Sequence, residues 1–388
     1  MVELRSAASP GRVSDLPGLP DDGSVPVPED PEPSEPLRPE ERATGIGSLP
    51  GVDHHEAART VVGELPGFPH VAELPDRGVG ADMIGRAAAL LVDLAVEVWP
   101  SGYRVAGRPG AQHRRAVDLL ARDVDALDST IGETGAAPRR VKTQVAGPWT
   151  LCAGVELRSG NRVLTDRGAV AEFTESLAEG LRGHVAELAR RTGAGVVVQI
   201  DEPTLPAVLA GSLSTPSGYG TVRSVSGADA RAGLAVVVDA AREAGAVAVV
   251  AHCCHPTPPL ALLGATGVDG LAVDLSALGR PGGDGAQRSP TIDTAVLDAV
   301  GEQWDAGREL WLGLVPSVAT GPGPELAALA RPALDLADRL GFDRARLADR
   351  AVVTPTCGLA GATPAWARTA MARTVELAEA FADPPSSW

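Results

Sequence analysis

Short runs of apolar and β-branched residues recur along this 388-residue chain and alternate with longer stretches rich in Ala, Leu and Arg. Runs of this kind are typical of strands that are buried on both faces, as in a parallel sheet. The clearest runs are Arg140 to Ala146, Gly195 to Ile200, Ala246 to Ala251, Gly270 to Val273, Glu309 to Val315 and Ala351 to Thr354. They are predicted to be parallel strands.

The stretches between these runs repeat apolar residues at helical spacing. The predicted helices are Ala171 to Arg191, Ala228 to Glu243, Thr291 to Asp305 and Pro324 to Leu340. Two further extended segments, Thr44 to Ser48 and Ala95 to Trp99, bring the number of predicted strands to eight. An open doubly wound sheet would show the same alternation, and the count of eight favours a (β/α)8 or TIM barrel, an α/β fold.

The segment from Pro10 to Arg42 differs from the rest because Pro, Asp, Glu, Gly and Ser dominate it. Such a composition cannot bury enough apolar surface to offset the entropy lost on ordering. No second linker of this kind follows it. We therefore expect residues 1–43 to form a disordered tail and residues 44–388 to form one barrel domain.

The charge balance excludes several classes of partner. Acidic residues outnumber basic residues 50 to 34, which gives a formal net charge of -16. This charge repels nucleic-acid backbones and anionic lipid, and no basic patch offsets it. The sequence also lacks a signal-peptide core and any apolar run of the roughly 18 residues that a membrane helix needs. We expect a cytoplasmic enzyme that binds neither nucleic acid nor membrane.

The four cysteines are too few and too unevenly spaced for a disulfide framework. They are therefore expected to be reduced thiols or metal ligands. Lys142 is the only lysine, so it alone could form a Schiff base, and it does not lie in a phosphate-binding P-loop motif.

Polar residues that follow the predicted strands are the candidate site residues, because a parallel barrel forms its active site at the C-terminal ends of its strands. His252, Cys253 and Cys254 follow one strand, and Cys357 follows another. On extended chain, His252 and Cys254 point to the same side and Cys253 points away. Zinc prefers such ligands, and a catalytic site uses three of them, so His252, Cys254 and Cys357 are candidates. The alternative is a structural role, since buried cysteines and strand-end histidines are common in cores.

Other strand ends carry further candidates. Asp201 and Glu202 could hold an ammonium group, or they could cap a following helix. The glycine-flanked loop Thr44 to Pro50 could present backbone N–H groups to a carboxylate, or it could be an ordinary strand exit. Trp149 either lines the barrel mouth or packs under a helix.

Five short motifs occur in order along the chain. Gly45-Ile46-Gly47-Ser48-Leu49-Pro50 is similar to T-I-G-S-F-P, Ala146-Gly147-Pro148 to T-G-P, Gln199-Ile200-Asp201-Glu202-Pro203 to Q-I-D-E-P, His252-Cys253-Cys254 to H-x-C, and Thr356-Cys357-Gly358-Leu359 to D-C-G-L. In this order they resemble the catalytic domain of cobalamin-independent methionine synthase, from Thr44 to the C-terminus. The combination is more specific than any single motif. Full-length members have a second barrel, so the chain resembles a short core type.

The resemblance implies a TIM barrel of the methionine synthase and uroporphyrinogen decarboxylase type that transfers a methyl group to a thiol such as homocysteine. It implies zinc (Zn2+) as cofactor, with His252, Cys254 and Cys357 as ligands and Asp274 at the position of the family's ligating glutamate. Aspartate is one methylene shorter, so either the backbone shifts or this ligand is lost. Asp201 matches a catalytic residue that binds the substrate amino group, and Ile46, Gly47 and Ser48 match the loop that holds its carboxylate.

The residues that would bind the methyl donor depart from the family pattern. A tryptophan that stacks on folate is replaced by Ala153-Gly154, and the segment Leu205 to Val208 lacks an acidic residue implicated in folate chemistry. No H-G-E motif is found, and Glu97 and Asp82 are the candidates for its replacement. Methylfolate and a methyl group carried by a corrinoid protein both stay open as donors.

The expected mechanism uses zinc to favour the thiolate form of the acceptor, because a free thiol with a pKa near 8.5 is mostly protonated at neutral pH. Two alternatives share the barrel, namely a methylcobamide:thiol methyltransferase and a uroporphyrinogen-decarboxylase-like enzyme, which needs no metal. A non-enzymatic alternative is a barrel that keeps the zinc site as a thiol sensor.

Overall fold

The computed structural model describes residues 36–279, 292–319, 321, 323–385 and 388. Most of the predicted tail, residues 1–35, lies outside the described residues. One compact unit begins at Leu37, before the predicted domain boundary at Thr44. Within this unit Pro39–Arg42 forms a 3-10 helix, and the side chain of Glu41 is fully buried.

Nine strands are present in the described part of the chain. They are β1 (Ala95–Trp99), β2 (Gly102–Ala106), β3 (Arg140–Ala146), β4 (Val155–Glu156), β5 (Gly195–Asp201), β6 (Ala248–His252), β7 (Gly270–Asp274), β8 (Glu309–Val315) and β9 (Ala351–Pro355). Strands β3, β5, β6, β7, β8 and β9 pair in parallel in this order. The six predicted parallel strands are therefore confirmed, with small shifts at their ends.

Two extended segments outside the named strands close this sheet into a ring. The bonds that link them run from Thr44 N to Val353 O of β9 (3.1 Å), from Leu49 N to Glu73 O (2.8 Å) and from Val71 N to Lys142 O of β3 (2.8 Å). Residues 43–49 and 69–73 thus occupy the first two positions of the barrel. The predicted (β/α)8 fold is confirmed.

The prediction that Ala95–Trp99 is a barrel strand is wrong. This segment forms β1, but it pairs antiparallel with β2 in a separate small sheet that also contains β4. Its Val and Trp residues favour a strand of any kind, and Pro100-Ser101 supplies the turn of a hairpin. The barrel position belongs to residues 69–73, which contain a single β-branched residue and give only a weak strand signal.

Twelve α-helices in the described residues surround the sheets. They are α1 (His54–Glu64), α2 (Met83–Ala89), α3 (Ala111–Thr134), α4 (Pro148–Gly154), α5 (Arg167–Thr192), α6 (Leu205–Ala210), α7 (Gly227–Glu243), α8 (Leu260–Gly264), α9 (Thr294–Asp305), α10 (Leu326–Leu340), α11 (Arg346–Arg350) and α12 (Pro364–Ala382). The four predicted helices are confirmed as α5, α7, α9 and α10; Thr291, the predicted start of α9, lies outside the described residues. In the part of the chain that is described, no helix has the length and apolarity needed to cross a bilayer.

Apolar side chains form two separate clusters. The larger one joins outward-facing strand residues such as Val196 and Val198 to helix residues such as Leu177. The smaller one consists of Phe68, Val197, Val250, Ala272, Trp311 and Val352 and fills the barrel interior. Residues two apart on a strand share a face, so the face of β5 that starts with Val197 continues with Gln199 and Asp201. The interior therefore changes from apolar to polar toward the C-terminal ends of the strands.

Candidate active site at the strand ends

The Asp201 carboxylate and the His252 imidazole meet at the ends of the neighbouring strands β5 and β6. Strand pairing places the two residues opposite each other, and Asp201 Oδ1 lies 2.6 Å from His252 Nδ1. Both side chains are buried. Burial alone would lower the pKa of His252, but the hydrogen bond and the negative charge of Asp201 outweigh it and raise the pKa above its usual range.

The second ring nitrogen of His252, Nε2, is buried and has no hydrogen-bond partner among the described residues. Buried polar atoms are nearly always satisfied, so an orphaned one points to ligand binding. Because Nδ1 engages a carboxylate, the proton of a neutral ring resides on Nδ1 and the lone pair on Nε2. Nε2 is therefore available as a donor to a metal ion.

The thiols of Cys254 and Cys357 form a hydrogen-bonded pair. Their mutual hydrogen bond lowers the pKa of Cys357 and raises that of Cys254. The positive charge of a protonated His252 also lowers the pKa of Cys357. The first thiolate of the pair therefore forms on Cys357. Cys253, in contrast, is fully buried in the larger apolar cluster, and burial raises its pKa to about 12.

The Asp274 carboxylate, at the end of β7, is engaged with its own chain. Its Oδ1 accepts hydrogen bonds from Ser276 N (2.9 Å), Ser276 Oγ (2.6 Å) and Ala277 N (3.3 Å), which is an Asx turn. Among the described residues, no group of three or more His, Cys, Asp or Glu side chains stands arranged to hold a metal ion. The structure thus pairs the two thiols and brings the charge of His252 to bear on Cys357, without the closed geometry of a metal site.

The donor set of His252, Cys254 and Cys357 nevertheless fits zinc. One imidazole nitrogen and two sulfurs are the ligand types that zinc prefers, and three protein ligands leave one position for a substrate. The lowered pKa of Cys357 favours the thiolate that a metal requires, and in the neutral ring of His252 the orphaned Nε2 carries the lone pair for a metal that displaces the proton.

Glu202 faces away from these donors. Its carboxylate accepts hydrogen bonds from Trp149 N (2.9 Å), Thr150 N (2.9 Å) and Thr150 Oγ1 (2.7 Å), so it caps the N-terminus of α4. Burial raises its pKa to about 7, although these three donors act in the opposite direction. Glu202 therefore caps a helix, as one alternative predicted. The helix is α4, which follows β3, and not α6, which follows Glu202 in sequence. Trp149 is buried under α7, where its Nε1 donates to Ala230 O (2.8 Å).

The loop that contains Ile46, Gly47 and Ser48 lies beside the Cys357 segment. Ser48 O accepts from Leu359 N (2.8 Å), and a Cβ atom at Gly358 would collide with Ser48 Oγ. The N–H groups of Ile46 and Ser48 donate no hydrogen bond within the described residues. These two N–H groups are therefore available to an anion.

Glu73 is a candidate site residue that the sequence reasoning missed. It ends the second barrel segment, and its Oε1 lies 3.4 Å from Arg86 Nε. Burial raises the pKa of Glu73, the positive Arg86 lowers it, and the nearby negative charge of Asp201 raises it again. The available signal was a glutamate between a short extended segment and Pro75, at the position where a strand end was not recognised.

The two residues predicted as replacements for the H-G-E motif lie elsewhere. Asp82 caps α2 by accepting from Ile84 N (3.1 Å) and Gly85 N (3.0 Å). Glu97 lies in β1, outside the barrel. A cleft of about 920 Å³ between α5 and α7 is also separate from the site, because none of the candidate zinc ligands lines it.

The chain is a methyltransferase, the class that the sequence motifs implied, because the pattern of a methyltransferase family covers most of its length. The chain belongs to the family described as "Cobalamin-independent synthase, Catalytic domain", whose pattern matches residues 42–380.

One solved structure supports this fold. The chain is similar to a B12-independent methionine synthase from Shewanella sp. W3-18-1 in complex with selenomethionine, with a TM-score of 0.51 and 13% identity over 87% of this chain and 96% of that chain. It is also similar to a methyltransferase from Methanosarcina mazei, with a TM-score of 0.49 and 15% identity over 89% of this chain and 97% of that chain. No curated protein matches the chain significantly.

Proposed function

We propose that this methyltransferase transfers a methyl group to the thiol of homocysteine, giving methionine, with zinc held by His252, Cys254 and Cys357. The observation that carries the proposal is the orphaned Nε2 of His252, in a ring whose Nδ1 is bonded to Asp201 and whose charge acts on Cys357 of the thiol pair. A metal-ligating histidine commonly donates its other N–H to a carboxylate, as His252 does here. Asp274 is the proposed fourth ligand, and its carboxylate would first have to leave the turn at Ser276.

When bound, zinc would supply the positive charge that favours the thiolate form of the acceptor at neutral pH. The residues of the chain would hold the rest of the acceptor. Ile46 and Ser48 are two apart in an extended segment, so their free N–H groups face the same side and suit a carboxylate.

Asp201 is the proposed site for the acceptor's ammonium group. Its Oδ1 accepts hydrogen bonds from both His252 Nδ1 (2.6 Å) and Gln199 Nε2 (2.7 Å), whereas its Oδ2 makes no hydrogen bond within the described residues. Glu73 adds a second negative charge close to Asp201. Because Glu202 is committed to capping α4, we propose Glu73 in its place as the second carboxylate that favours an ammonium group.

The methyl donor is proposed to be methylfolate or a methylcorrinoid. The segment Ala153-Gly154, which stands where the family motif has the folate-stacking tryptophan, offers no ring for stacking, and Gly154 packs against Ile84. Purified protein should therefore be assayed for methyl transfer to homocysteine from both donors in parallel, in cytoplasm-like reducing buffer. If the zinc-loaded protein transfers a methyl group from neither donor, the result counts against the proposed reaction. Absence of zinc would favour the metal-independent decarboxylase alternative.

A further inference from the structure

Lys142, the only lysine of the chain, is completely buried in the barrel interior. Its Nζ donates hydrogen bonds to Ile46 O (2.8 Å), Gln144 Oε1 (3.0 Å) and Gln199 Oε1 (2.9 Å). Burying an amine among apolar strands is costly unless every donor is satisfied. The three short contacts meet that condition, so the lysine has a defined position.

The partners of Lys142 are themselves fixed. The Gln199 amide nitrogen donates to Ile46 O (2.9 Å) and to Asp201 Oδ1 (2.7 Å), which directs its oxygen toward Lys142. The Gln144 amide nitrogen donates to Val71 O (2.7 Å), so its oxygen is also directed toward the lysine. A single amine therefore organises polar groups from three parts of the ring.

These contacts form a continuous chain between two parts of the site. From the loop carbonyl of Ile46 the chain passes through Lys142 and Gln199 to Asp201, and Asp201 contacts His252. Every side chain in this hydrogen-bond network is buried, and buried hydrogen bonds hold geometry more firmly than exposed ones. The carboxylate-binding loop and the histidine are thus mechanically linked.

We propose that Lys142 is a positioning residue, which sets the loop of Ile46 to Ser48 and the Asp201–His252 pair in register for an amino-acid acceptor. The inference rests on the proposed function. Lys142 does not touch the acceptor. It determines where the free N–H groups of Ile46 and Ser48 lie relative to Asp201 Oδ2, and hence the separation between the sites for carboxylate and ammonium.

The test compares Lys142→Met with Thr143→Val. Methionine keeps the length of the side chain but donates no hydrogen bond. Thr143 is the next residue on β3 and is also buried, but its side chain points to the opposite face. There its Oγ1 forms a hydrogen bond of 2.8 Å with His184 Nε2, which Thr143→Val removes. The readouts are the Kd for homocysteine, the Kd for 2-mercaptoethanol, the zinc content, and amide exchange at Leu49 and Glu73, whose N–H groups are bonded across the loop.

We expect Lys142→Met to bind homocysteine about tenfold more weakly or worse, and to exchange Leu49 and Glu73 faster, with zinc content and 2-mercaptoethanol binding little changed. Thr143→Val should leave all four readouts near the parent values. Lower melting temperature with unchanged homocysteine affinity would overturn the inference, because the lysine would then be merely structural. If the parent itself binds no homocysteine, the proposed acceptor fails, and amide exchange alone decides whether Lys142 positions the loop.

A measurement on the parent covers the case in which Lys142→Met does not fold. Protein labelled with [13Cε]lysine contains one labelled residue, so its spectrum holds one Cε signal. Saturating homocysteine should shift this signal, because a ligand held by the loop changes the surroundings of Ile46 O. A bound ligand without a shift would overturn the inference.

Discussion

Asp201 Oδ1 lies 2.6 Å from His252 Nδ1 and leaves Asp201 Oδ2 and His252 Nε2 without partners among the described residues. One contact therefore orients two free atoms. In the proposed enzyme His252 Nε2 binds the metal, and Asp201 Oδ2 binds the ammonium group of the acceptor. Substitutions at Asp201 should therefore separate its effect on metal binding from its effect on acceptor binding.

Asp201→Asn should weaken homocysteine binding about 10-fold to 150-fold, because the amide removes a charge-assisted contact worth about 1.5–3 kcal/mol. Zinc content should be kept, since the amide oxygen can still accept from His252 Nδ1. Asp201→Leu should in addition lower zinc affinity about 10-fold to 100-fold, because it removes the group that orients the ligand. Calorimetry with homocysteine and with zinc measures both. Equal effects of Asn and Leu on zinc would show that the charge matters and not the hydrogen bond.

Zinc content should distinguish the neighbouring cysteines. We expect about one zinc per chain in the parent and in Cys253→Ala, and little or none in Cys254→Ala. The reason is that Cys253 lies in the apolar core whereas Cys254 pairs with Cys357. Elemental analysis after purification without chelators provides the measurement. Loss of zinc from both variants would show that the assignment of Cys254 rather than Cys253 as the ligand is wrong.

Lys142 should titrate far below the usual range of lysine. Burial lowers its pKa from 10.5 to about 7, and the negative charges of Asp201 and Glu73 limit the decrease. The single [13Cε]lysine signal should therefore titrate near pH 7 in the folded protein and near pH 10.5 in urea. Asp201→Asn should lower the folded midpoint further, and a higher midpoint would contradict the assigned cause.

The same shift predicts the direction of a stability change. Between pH 7 and 10.5 the unfolded chain holds a proton on Lys142 that the folded chain lacks, so lowering the pH across this window favours unfolding. Lys142→Met lacks this contribution. Its unfolding free energy relative to the parent should therefore rise as the pH falls from 10.5 to 7, as measured by urea denaturation. A relative stability that does not depend on pH would contradict the shift.

Two truncations should behave differently. Removal of residues 1–36 should leave the melting temperature unchanged, because their composition supplies little apolar surface to bury. Removal of residues 1–42 should lower the unfolding free energy by about 1–3 kcal/mol, since it deletes the buried Glu41, whose carbonyl accepts from Arg140 Nη2 at 2.5 Å. Thermal unfolding of both truncated proteins in parallel checks this, and identical curves would show that Glu41 contributes nothing.

The sequence predicted those barrel strands whose burial on both faces demands a continuous apolar run, such as β5 and β8. It missed residues 69–73, because a few bonds to neighbours hold this segment and its own residues have little strand preference. Glu73 was missed for the same reason. A polar residue can be assigned to a barrel mouth only after its strand is recognised.

The contacts of individual carboxylates could not be predicted from the sequence either. Asp201 and Glu202 are adjacent, yet one meets His252 and the other caps α4, more than fifty residues earlier in the chain. Alternation along the strand predicts opposite directions. It does not identify the partner on either side, because that depends on how the barrel brings distant segments together.

The burial of Lys142 also affects the chemical handling of the protein in a cell or a test tube. Acylating reagents, and enzymes that attach acetyl groups or protein tags to lysine, need an accessible side-chain amine, and the folded chain presents none. Such a modification could form only after the barrel opens, and the modified side chain would not fit back into its place. Lysine modification of this protein would therefore act as an irreversible record of unfolding.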